Sequence, residues 1–143
     1  VFPMSRPAFV IQRGNFFPFG KTQLFSLLAS FGTTVELEES QLDAASAIGG
    51  SSPAYVYMFI EALADAGVAE GLKRPQAYQL AAQGVLGAAK LVLESGKHPG
   101  QLKDEVCSPS GSTIRGLEVL EKGAFRGTVI DALRTTIEKA RAL

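Results

Sequence analysis

The sequence predicts a mainly α-helical chain led in by a short α/β segment, and three observations predict it. Composition changes sharply near residue 39. From there on, apolar residues recur at helical spacing almost without interruption. Before it, short β-type runs are broken by Gly and Pro around a single helical pattern.

Phe9-Val10-Ile11 and Gly14-Asn15-Phe16-Phe17 read as short strands. Lys21 to Phe31 carries apolar residues at 24, 27, 28 and 31, which is helical spacing, and Gly32 stops it. Thr33-Thr34-Val35-Glu36-Leu37 alternates like a strand. A β-β-α-β stretch over 1–38 is too small to cover both faces of its own sheet. It is expected to be the closing part of a larger α/β domain.

A short helix is expected from Glu39 to Ile48. Gly49-Gly50-Ser51-Ser52-Pro53 then offers a serine N-cap with Pro53 at the first helical position. The helix that follows is expected to run to about Gly71. Pro75 opens the next, which reaches Ser95 and stops at Gly96. Pro99 opens a short helix ending near Cys107. Ser108-Pro109-Ser110-Gly111 is a loop, Ser112 is the expected cap of a helix ending at Gly123, and a last helix fills 124–142.

The two long helices are rich in small residues. The second carries Ala77, Ala81, Ala82, Gly84, Gly87, Ala88 and Ala89. Glycine inside a helix costs about 1 kcal/mol relative to alanine, so close approach by another helix is the expected reason. Helices of this kind leave apolar faces uncovered in a monomer, and a dimer covers them.

At 143 residues and 46% hydrophobic content, the chain is globular and about one domain in size. Fourteen basic residues balance fourteen acidic ones, so no field draws nucleic acid or anionic lipid. No apolar run is long enough to span a bilayer. The opening lacks the pattern of a signal peptide, and Val1 is no initiator, so a fragment or processed product is expected. Cys107 is the only cysteine, which fits a reducing cytoplasm. One Cys and one His make no metal cluster.

The chemistry centres on Cys107-Ser108-Pro109-Ser110-Gly111-Ser112-Thr113-Ile114. Hydroxyls and a glycine stand directly before a helix, where free N–H groups and the helix dipole favour an anion. A plain serine-capped helix start accounts for the same spacing. No lysine follows Gly111, so this is not a phosphate loop. His98 reads as a solvated helix-entry residue and Cys107 as a small apolar one. Glu61 and Asp65 read as a solvated face, and Arg126 as half of an ion pair. Lys90 and Lys103 have Glu94 and Asp104 as surface partners.

Several stretches resemble one family. They are Gly50-Ser51-Ser52-Pro53-Ala54-Tyr55, Glu61 to Val68, Gly87-Ala88-Ala89-Lys90, His98 to Asp104, Cys107-Ser108-Pro109, Thr113-Ile114, Leu117 to Leu120, and Gly123-Ala124-Phe125-Arg126. In order and spacing they resemble the pyrroline-5-carboxylate reductases over residues 39–143, with a looser likeness over 15–38. The resemblance implies that 39–143 is a helical-bundle dimerisation and substrate-binding domain, like the C-terminal domain of 6-phosphogluconate dehydrogenase. It implies that 1–38 is the end of a Rossmann-type dinucleotide-binding domain.

It implies further that the full enzyme reduces 1-pyrroline-5-carboxylate to L-proline with NADP or NAD, as a homodimer or higher oligomer. Ser108, Gly111, Ser112 and Thr113 would receive the substrate carboxylate, and the Thr113 hydroxyl would lie near the ring nitrogen as the catalytic group. The family's loop usually reads Ser-Pro-Gly-Gly-Thr-Thr. Here Ser110 replaces a glycine, which matters if that position needs positive φ. No Gly-x-Gly-x-x-Gly follows a strand, so no cofactor-binding residue is assigned and the chain alone is expected to be inactive. Two rivals stand beside this reading: a dimerisation module without activity, and a reductase acting on another imine or hydroxy acid.

Overall fold

The computed structural model describes residues 8–12, 20–30 and 32–142. The described residues form two compact units. One is Ala54–Asp131; the other joins the residues before it to those from Ala132 onward.

In the second of these, β1 (Ala8–Gln12) and β2 (Thr33–Leu37) pair in parallel, with Val10 opposite Val35. Parallel neighbours need a long crossover, and α1 (Lys21–Ala29) lies within it. Ser30 turns its hydroxyl back to the Leu27 carbonyl at 2.6 Å, and the Gly32 amide reaches Leu28 O at 3.1 Å, which closes the helix. The strand expected at Gly14 to Phe17 lies outside the described residues.

The single short helix expected over 39–48 is built from three kinds of turn. A 3₁₀ turn, Glu39–Gln41, is fixed by a capping box in which the Gln41 side chain accepts from the Glu38 amide at 3.0 Å. It runs into α2 (Leu42–Ser46) and then a π-helical stretch, Ala47–Ser51, whose Ala47 is buried.

The serine-capped start expected at 51–53 is not there. The chain passes from the π stretch straight into α3 (Ser52–Ala69), and Ser52 is itself helical. The reason is legible in Pro53. The Ser52 amide bonds Ala47 O, five residues back. The next donor in that pattern is Pro53, which has no N–H. The Ser52 hydroxyl donates to the Ile48 carbonyl at 2.5 Å instead. The serine serves the preceding turn and caps nothing.

In the unit Ala54–Asp131, α3 meets α4 (Arg74–Ser95) through small side chains. Ala64, Ala77 and Ala81 are buried together, with Ile60 and Val68 packed against them. A Cβ on Gly67 would lie 3.1 Å from Leu72 Cδ1 and 3.6 Å from Ala77 Cβ, so the approach is close there. Asp65 is ion-paired with Arg74, whose guanidinium sits over the Tyr78 ring at 5.6 Å. The Asp65 carboxylate raises the Arg74 pKa.

Gly96 adopts φ 66 and ends α4 as expected. α5 (Pro99–Glu105) buries Leu102 and stops two residues short of Cys107. α6 (Ser112–Lys122) and α7 (Phe125–Arg141) complete the order. Phe59 of α3 and Phe125 of α7 pack with ring centroids 6.0 Å apart. The break falls at Gly123 as expected, and the left-handed residue is its neighbour Ala124, at φ 52. Among the described residues no helix is long and apolar enough to cross a membrane.

Candidate functional site

The loop between α5 and α6 starts from a well-anchored helix. His98 is the N-cap of α5, and its Nδ1 accepts the Gly100 amide at 3.0 Å. Beyond a solvated entry residue, His98 is therefore a cap; the signal in the sequence was a hydrogen-bonding side chain directly before Pro99. At the other end, Glu105 accepts from Lys97 at 2.8 and 2.9 Å and from Gln101 at 3.1 Å. The Lys97 ammonium holds the Glu105 carboxyl below its ordinary pKa.

The chain leaves α5 with the Cys107 amide on Asp104 O at 2.9 Å, and Cys107 is half-buried. Lys103 pairs with Asp104, which raises the lysine's pKa; Cys107 and Arg126 lie near enough to act on it too. Arg126 is ion-paired with Glu121, and Lys90 with Glu94 at 3.7 Å.

The turn itself is closed by the Gly111 amide donating to Ser108 O at 3.0 Å. Ser110 takes φ 60, so the position where the family usually has glycine is indeed left-handed here, and a serine occupies it. The N-cap of α6 is Gly111, with φ −70 and ψ 168, and Ser112 is the first helical residue. This corrects the expectation that Ser112 is the cap. Its cause is the tight turn at Ser108, which brings the chain into helical geometry one residue earlier than the hydroxyl pattern suggests.

Glycine has no side chain with which to cap. No backbone hydrogen bond ties the amides of Ser112, Thr113 or Ile114 to the loop. Ser108, Ser110, Ser112 and Thr113 are exposed, and Gly111 is half-buried. Ser108, Gly111, Ser112 and Thr113 thus come together in one turn and the first helical residues after it. Unsatisfied donors at a positive helix end form an arrangement suited to a carboxylate.

Two hollows lie elsewhere. One of about 390 Å³ runs along α4, lined by Leu72, Gln76, Gln79, Leu80 and Gln83. The other, about 200 Å³, is lined by Glu36, Leu37, Glu38 and Gln41. Neither contains a residue of the loop. The first has no charged lining residue and the second no basic one, so neither offers an anion a positive charge. Among the described residues no three His, Cys, Asp or Glu side chains are grouped to hold a metal.

The described residues do not fit the pyrophosphate of a dinucleotide. The other glycine-rich stretch, Gly49-Gly50, lies inside the π-helical run, where the Ser52 amide already donates to Ala47 O and Pro53 has no N–H to offer.

Comparison with known proteins matches residues 39–143 to the family described as pyrroline-5-carboxylate reductase dimerisation. A pyrroline-5-carboxylate reductase of Escherichia coli K12 is 48% identical over 126 residues, which cover 88% of this chain and 47% of that protein. Among solved structures, the pyrroline carboxylate reductase of Plasmodium falciparum with NADP bound superposes with a TM-score of 0.81 at 38% identity. It covers 94% of this chain and 55% of its own. A pyrroline-5-carboxylate reductase of Coxiella burnetii gives 0.86 at 32% identity, covering 96% and 52%. The chain spans about half the length of the relatives it matches.

Proposed function

The chain belongs to the pyrroline-5-carboxylate reductase family, and on that premise we propose that residues 39–143 are the subunit-pairing and substrate-binding half of such an enzyme, with 1–38 closing its dinucleotide-binding domain. The reaction is reduction of 1-pyrroline-5-carboxylate to L-proline. NADP or NAD supplies the hydride. No residue of this chain is assigned to the cofactor, because the described residues offer its pyrophosphate no cradle.

The observation that carries the reading is the uncapped start of α6 behind the Ser108–Gly111 turn. A carboxylate there meets the free amides of Ser112, Thr113 and Ile114. The Thr113 hydroxyl, in the same turn of helix, is close enough to the bound anion to orient the ring nitrogen. Holding the imine in one pose is the protein's part of the chemistry.

The partner is a second copy of the chain. Support comes from the surface: Tyr57, Met58, Leu80, Leu86, Leu91 and Leu93 are all more than half exposed on α3 and α4. Gly84 and Gly87 have nothing within 4 Å of where a Cβ would stand, so the described residues supply no helix against them. The dimer interface should exceed the ~1,600 Å² of a standard one. The family and the single unpaired Cys107 support a cytoplasmic location.

Steady-state kinetics on the complete enzyme test the site. Thr113→Ala should lower kcat/KM about ten- to hundredfold, the loss of one hydrogen bond to a charged group at about 1.5–3 kcal/mol. His98→Ala should lower the melting temperature, since it removes a cap, and leave kcat/KM within a few-fold. Cys107→Ala should do neither. A silent Thr113→Ala beside a crippled His98→Ala would replace this assignment with acid–base chemistry at His98. Calorimetry on the 143-residue chain should show no micromolar binding of NADPH.

A further inference from the structure

Resting on the carboxylate reading above, we propose that Gly111 is a positioning residue: its missing side chain holds the Ser108 hydroxyl in place at the mouth of the site. Glycine is usually required by backbone conformation, and here that reason is absent. Gly111 has φ −70 and ψ 168, which any residue adopts, while the left-handed position, φ 60, falls on Ser110.

What Gly111 lacks is room. A Cβ built on it would collide with the Ser108 hydroxyl and approach the Ser108 carbonyl oxygen to 3.1 Å. That carbonyl is held by the Gly111 amide at 3.0 Å and need give only a few tenths of an ångström, so the group that must move is the hydroxyl. The Ser108 side chain thus fills the volume a side chain at 111 would take. Its hydroxyl has no hydrogen-bond partner among the described residues and stays available to a ligand. Any larger residue at 111 turns the hydroxyl out of that place, so Gly111 acts on the substrate through Ser108.

This makes a claim about epistasis. In the complete enzyme, Ser108→Ala should raise KM for 1-pyrroline-5-carboxylate about tenfold or more, with a smaller change in kcat. Gly111→Ala should match it. The double variant Ser108→Ala/Gly111→Ala should be no worse than Ser108→Ala alone, within about twofold, because the hydroxyl that Gly111 positions is already gone. Ser110→Gly should leave KM unchanged and raise the melting temperature slightly, as it relieves the left-handed serine.

A Gly111→Ala effect that multiplies onto that of Ser108→Ala would overturn the proposal, since glycine would then matter for its own backbone. So would a Gly111→Ala enzyme with wild-type KM. If Ser108→Ala itself leaves KM unchanged, the carboxylate reading of Ser108 fails and the positioning role falls with it. Melting curves on all four variants separate a displaced hydroxyl from a damaged fold.

Discussion

The two halves of α4 are written in nearly the same residues and do opposite things. In the first half, Ala77 and Ala81 are buried against Ala64 of α3, and this is the most enclosed apolar cluster among the described residues. In the second half, Gly84 and Gly87 face open space, and Leu86, Leu91 and Leu93 stand exposed, the last at 84%. A small residue in a helix announces that a backbone comes close; it does not say whose backbone. α3 answers for the first half. For the second the described residues supply no neighbour, and the matched family is described as a dimerisation domain.

The sharpest way to break this contrast is Ala64→Leu. Ala64 is wholly buried, and extra methylenes in a filled seam cost about 1–3 kcal/mol or more. The variant should lose more than about 5 °C in melting temperature, and secondary structure should loosen in α3 and α4 together. A neutral result would mean the seam is not packed as described.

Gly87→Leu tests the other half. Its helix should form normally, since the added Cβ meets nothing among the described residues. The prediction is a shift from dimer to monomer at tens of micromolar, read by light scattering, with circular dichroism unchanged. A dimer that survives intact would show that the open half is kept small for some reason other than a partner helix.

A subtler version is Gly84→Ala. In an unattended stretch of helix it should raise stability by about 1 kcal/mol through helix propensity alone. If the melting temperature of the assembled protein stays level or falls, a partner's backbone is occupying that space.

The smallest effect concerns the far end of α4, where Lys97 ties to Glu105 of α5. The Glu105 carboxyl has a lowered pKa in the folded chain, so its contribution is present above the ordinary carboxylate pKa of about 4.3. It is lost as pH falls through the lowered folded value. Glu105→Gln should therefore cost a little at neutral pH and nothing in strong acid, measured as melting temperature against pH.

Much of this was readable from residue order. Prolines at 75 and 99, the glycine stop at 96 and the 3.6-residue spacing located α4 and α5, because these act on the chain's own backbone within a turn or two. The turn before α6 was readable on the same ground, as hydroxyls and a glycine before a helix. Details that failed were those in which a neighbour three to five residues away takes the group in question. Ser52 looked like a cap until Pro53 left Ile48 O without a donor. Ser112 looked like a cap until the Ser108 turn moved that place to Gly111. The sequence by itself determined where most of the helices lie, since propensity, missing N–H groups and the positive-φ glycine at 96 are local. Only the tertiary structure decided which small residues are buried and which lie open, and why Gly111 has no space for a side chain. Those are questions of which atoms fill a volume, and linear spacing carries no record of that.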